Sequence, residues 1–155
     1  MLAMQLREEL TTVETLLHLL QREYELLKTR DLPELEQIVT EKQRCIDQLR
    51  DQIANRLDDL QARGLAADTQ GMANCLNQLA AAERTVATRL WAALELTAER
   101  VRHQNDINGA VIAAGRSHVE RSLAILSGRE SLDFLYDQGT RKVFGGGHRG
   151  PIAKA

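Results

Sequence analysis

Apolar residues recur at alternating steps of four and three along the first thirty positions: Leu6, Leu10, Val13, Leu17, Leu20, Tyr24 and Leu27. That is the heptad a/d spacing, which lays one apolar stripe along a helix. Leu16, Leu19 and Leu26 lie beside the stripe and widen it. A wide stripe suits a helix that touches more than one neighbour, or one that keeps part of its apolar face for a partner. Asp31, Pro33 and Glu34 read as the N-cap, first turn and capping-box acid of a second helix, so the first ends near Thr29. The stripe restarts as Leu35, Val39, Lys42, Ile46, Leu49, Ile53, Arg56/Leu57 and Leu60, and Gly64 is suited to stop it. Together the two segments predict a long antiparallel hairpin.

Residues 65–71 predict a connector, with Asp68 or Thr69 as the next cap. From Met72 the pattern resumes through Leu76, Leu79, Val86, Leu90, Leu94 and Val101. It then meets Asn105 and Asn108 and continues as Ile112, Gly115, Val119, Leu123 and Leu126. One helix over this whole length would far outrun the first two. A kink or break is therefore expected near Asn108-Gly109, where Asn-Gly tolerates left-handed backbone and a mid-helix Gly costs about 1 kcal/mol. The fold class is all-α: an elongated antiparallel helical bundle, or coiled-coil hairpin, of three long helices. The bundle is placed at 1–128. Residues 129–155 lose the helical period and contain Gly139, Gly145 to Gly147, Gly150 and Pro151. They are expected to form a flexible C-terminal tail with an aromatic docking segment.

Composition adds mainly exclusions. Only Pro33 and Pro151 are prolines, so long helices can run uninterrupted. A net charge of −2 gives no general attraction to nucleic acid or anionic membrane. No apolar run is long enough to span a bilayer and no signal-peptide pattern opens the chain, so a cytoplasmic location without stable membrane insertion is expected. Cys45 and Cys75 form no C-x-x-C pair and read as helix-face thiols in a reducing compartment.

Candidate chemistry is sparse. Di-iron bundles use Glu-x-x-His pairs, and there are none; Glu14/His18 and Glu99/His103 are four apart, an ordinary surface spacing. There is no phosphate-binding loop, dinucleotide fingerprint or nucleophile elbow. These absences predict no metal, no cofactor and no enzyme. The basic residues of the tail are too few for a nucleic-acid arm. Asn105 and Asn108 both fall on the stripe, either as a polar layer or helix break that fixes register or as a recognition patch. Three of the five aromatics, Phe134, Tyr136 and Phe144, lie after position 130, with Leu132 and Leu135 among them. Such a cluster must bury itself, against its own bundle or against another protein.

The order of these elements resembles a known family. Asn105-x-x-Asn108-Gly109, the aliphatic pair Val111-Ile112, a helix ending Leu123-x-x-Leu126, then Leu135-Tyr136-Asp137-x-Gly139, and the ending His148-Arg149-Gly150, are similar to FlgN-type flagellar export chaperones. Thr40-Glu41-Lys42 matches a similar element on the second helix. Asp137 stands where the family usually has Gly, and Gly139 comes one position early. The resemblance implies a cytoplasmic chaperone that binds C-terminal helices of hook-associated, or hook–filament junction, proteins. Such a chaperone prevents their premature assembly and delivers them to the flagellar type III export gate. It implies client binding by Asn105, Asn108, Ile112, Val119, Leu123 and Leu126, and export-gate docking by Leu135 and Tyr136. A homodimer stays open, and the alternative is a self-associating structural coiled coil or adaptor.

Overall fold

The structure, a computed structural model, describes residues 1–126. It contains four helices: α1 (Leu2–Thr29), α2 (Leu32–Ala62), α3 (Thr69–Asn77) and α4 (Ala81–Leu126). No strand occurs among the described residues. The chain divides into two compact units, Met1–Gly109 and Ala110–Ala155. The expected tail at 129–155 lies outside the described residues.

Helix ends follow the local chemistry. Arg30 adopts left-handed backbone (φ 59°) and Asp31 N–H returns to Leu26 O, closing α1. The Asp31 carboxylate then accepts from Glu34 N–H at 3.2 Å and caps α2. Gly64 (φ +73°) ends α2, and Leu65 N–H bonds back to Leu60 O at 2.9 Å. Asp68 caps α3 by accepting from Gly71 N–H at 2.8 Å. At Gly71 a Cβ would stand 1.8 Å from the Ala66 carbonyl oxygen, so only glycine admits this close approach of connector to helix.

The long third helix differs from expectation at two places. It breaks early, at residues 78–80, with no Gly or Pro to mark the spot. Arg84 supplies the missing punctuation: its Nη2 donates to Asn77 O at 3.0 Å and Leu79 O at 2.8 Å, satisfying carbonyls left open at the end of α3. Conversely, α4 runs unbroken through Asn108-Gly109. Asn disfavours helix interiors because its side chain competes for nearby backbone. Here that side chain is engaged by α1 instead, so no competition arises.

In the first unit, α1 and α4 present regular seams. On α1 the seam is Leu2, Leu6, Glu9, Val13, Leu16, Leu20 and Glu23, all buried. This corrects the stripe read from the sequence, which shares Leu6, Val13 and Leu20 but replaces Glu9, Leu16 and Glu23 with Leu10, Leu17 and Tyr24. Those three are only half-buried. On α2, Ile38, Cys45, Arg56 and Leu60 are buried, while the expected Val39 is exposed. On α4, Ala87 and Leu94 are buried and the expected Val86 is exposed. Leu2, Leu6, Val13, Leu60, Met72, Cys75, Leu76, Ala87 and Leu94 form the larger core cluster, with Trp91 and Val101 packed against it. Leu16, Leu20 and Cys45 form a second cluster. Burial pushes the Cys45 thiol up from its ordinary value, and its Sγ donates to Thr12 O at 3.3 Å.

Candidate partner-binding face

Two buried acids on α1 organise the polar interior of the first unit. Glu9 (1% exposed) accepts from Arg56 Nε of α2 at 2.7 Å, and the Arg56 guanidinium lies 4.9 Å over the Trp91 ring of α4. Glu23 accepts from Lys42 Nζ of α2 at 2.8 Å and, through its other oxygen, from Asn108 Nδ2 of α4 at 2.8 Å. Asn108 Nδ2 also donates to Leu20 O at 2.8 Å, and Asn108 Oδ1 accepts from Gln104 Nε2 at 3.0 Å. Each layer thus ties three helices together. Glu9 and Glu23 lie two heptads apart on α1, and Lys42 and Arg56 lie two heptads apart on α2. Both charge pairs therefore agree on one antiparallel register.

Of the residues proposed from sequence for client binding, Asn108 is interior, 1% exposed, with both amide hydrogens and its oxygen engaged. Asn105 is exposed. Ile112, Val119 and Leu123 are 45%, 52% and 59% exposed. At 3.6 residues per turn these three share one side of α4. Leu94 is buried in the first unit, whereas the second unit leaves its own stripe open over about 16 Å from Ile112 to Leu123. Arg116, also exposed, stands on the same side between Ile112 and Val119. Leu126 closes the described part of α4, and Leu135 and Tyr136 lie outside the described residues.

Sequence reasoning missed Glu9, Glu23, Gln104 and Trp91 as members of buried layers. The available signal was that Lys42 and Arg56 occupy stripe positions on α2. A cation repeated at a seam position calls for a buried acid opposite.

Elsewhere the surface offers shallow, open hollows. Two of about 500 Å³ lie between α1 and α4 in the first unit and share Leu17 and Arg100. His18 lines one and His103 the other, each beside a glutamate. Among the described residues no group of three or more His, Cys, Asp or Glu side chains could hold a metal ion. No described helix is long and apolar enough to cross a membrane.

Comparison with known proteins agrees with this layout. No curated protein matches the chain. A crystal structure from Pseudomonas aeruginosa, of a protein assigned to flagella synthesis and named FlgN, superposes with a TM-score of 0.64 at 26% identity. The match covers 70% of this chain and 83% of that one. The family described as FlgN protein matches residues 1–142, nearly the full length. With four helices in the described residues, a seam locked by polar layers and a family match of this extent, the chain belongs to the FlgN family of flagellar-synthesis chaperones.

Proposed function

We propose that this chain is a cytoplasmic, non-enzymatic chaperone for hook-associated proteins. It binds their C-terminal helices, keeps them from assembling early and delivers them to the flagellar type III export gate. The observation that supports this most directly is the exposed stripe Ile112, Val119 and Leu123 on α4 of a FlgN-family chain. An amphipathic helix anchors at i, i+3, i+4 and i+7, and an apolar stripe of about three turns matches such a ligand. Asn105, exposed on α4 in the first unit, is also assigned to client binding. Leu126 is assigned to the same role, and Asn108 contributes from inside by holding α4 to α1. No nucleotide or cofactor is required, because differential affinity alone shifts the client away from its self-assembling state. Leu135 and Tyr136 are assigned to export-gate docking.

The test is co-purification with a hook-associated protein and with the same protein lacking its last helix. Binding is expected to be lost with the deletion; unchanged binding refutes capture of that helix. Tyr136→Ala is expected to keep client binding and weaken capture by the export gate. Loss of client binding in that variant would reassign the segment.

A further inference from the structure

The two open hollows of the first unit join into one groove. Both have Leu17 of α1 and Arg100 of α4 in their walls, and only these two helices line them. The helices run in the same direction: the Glu9 layer meets Trp91 and, farther along both, Glu23 meets Asn108. The groove therefore follows α1 from Thr11 to Gln21, about 15 Å, and α4 from Leu96 to Gln104, about 12 Å. α2 joins the same helices through the buried layers and takes no part in these walls.

Two features of the walls select what fits. Leu96 is 55% exposed, a large apolar side chain held in water, and half-buried Leu17 lines the same hollow. Arg100 has neither a hydrogen bond nor an ion pair among the described residues. The acids of the walls do not neutralise it: Glu99 is held by Arg102, and Glu14 lines only the hollow that holds His18. The other hollow thus offers a free guanidinium together with two leucines and His103. Hollows this open would cover little of a small molecule. Nucleic acid needs a run of cations, which these walls lack. A helix laid lengthwise needs only an apolar strip of about three turns and a fixed charge to set its register.

We propose that the α1–α4 groove docks an amphipathic helix of a partner protein, with apolar side chains on Leu17 and Leu96 and a carboxylate on Arg100. The complementary charge identifies the occupant: an acid on the apolar face of a helix is costly in the free partner's interior and is matched here by an unpaired cation. This goes beyond the client reading, which concerns the second unit, and does not depend on it.

The test titrates the full chain with a synthetic helical peptide about four turns long, carrying Leu at i, i+4 and i+7 and Glu at i+3, and follows the methyl resonances of Leu17 and Leu96. Both are expected to shift together. Absence of binding, or binding that leaves both unmoved, overturns the proposal. Replacing the peptide's Glu by Lys should weaken binding about tenfold, and Arg100→Glu should reverse the order so that the Lys peptide binds better. Equal affinities for the parent, or an unreversed order in the variant, overturn the seating of a carboxylate on Arg100. Leu96→Ser is expected to weaken the Glu peptide several-fold, with urea unfolding unchanged because the side chain is exposed. Equal binding of a scrambled peptide of the same composition overturns the helix as occupant. Leu17 and Leu96 resonances that move on concentrating the peptide-free chain make the occupant a second copy and also overturn it. Val119→Ser with Leu123→Ser should leave peptide binding unchanged; a loss there would place the peptide on the stripe of the second unit and overturn the groove, whatever becomes of client binding.

Discussion

The two parts of α4 each carry an apolar stripe but meet different surroundings. In the first unit Leu94 and Val101 pack with leucines of α1, and the buried amide of Asn108 is satisfied by Leu20, Glu23 and Gln104. In the second unit Ile112, Val119 and Leu123 repeat the pattern with roughly half of each side chain open. Periodicity alone cannot separate these cases. The division comes at Asn108-Gly109, where the last polar layer ends. A seam that is covered within the chain serves stability, and the open one is the surface proposed for recognition.

That contrast can be broken from either side. Glu9→Ala is expected to be the most damaging change, because it leaves the Arg56 guanidinium buried without its carboxylate. About 3–5 kcal/mol of stability should be lost in urea unfolding. Replacing Glu9 and Arg56 together by leucine should recover most of that loss, which a double-mutant cycle would read as strong coupling. Next, Gly71→Ala drives a methyl into the Ala66 carbonyl and should cost about 1–3 kcal/mol by the same assay. Asn108→Ala leaves Leu20 O and a Glu23 oxygen each short of a donor. A similar loss of about 1–3 kcal/mol is expected, and amide exchange should rise in α4 on both sides of position 108. The smallest effect on stability belongs to the open seam. Val119→Ser with Leu123→Ser should change unfolding free energy by no more than about 0.5 kcal/mol, yet weaken capture of a hook-associated client by tenfold or more. A large loss of stability in that variant would erase the distinction between the two regions.

Much of the fold was legible in the residues. Asp31, Pro33 and Glu34, and Gly64, marked helix ends with caps that the structure uses. Heptad spacing gave the α1–α2 hairpin. The seam of α1 was misread by one step at alternate positions because Glu9 and Glu23 look like solvent-facing residues until a cation is placed opposite them. Long-range pairing of this kind has no local signature. The break at residues 78–80 was hidden for the same reason: an arginine side chain, not a glycine or proline, ends α3. At the partner face, Ile112, Val119 and Leu123 were identifiable as stripe members, but their exposure was not. Asn108 was identifiable as a polar layer or a recognition residue, and only its partners show that it sits in a layer.

The paired acids of α1 and cations of α2 also set rules for changing the molecule's length. A seven-residue insertion between Glu9 and Glu23 would move one acid a full heptad out of step with its cation while the other pair stayed matched. The same insertion made also between Lys42 and Arg56 would bring both pairs back into step. The hairpin can therefore grow or shrink only in matched heptads on both helices, and α4 must follow to keep Trp91 over Arg56 and Asn108 beside Glu23. The polar layers act as graduations on a scale, and the length of the covered region is quantised by them.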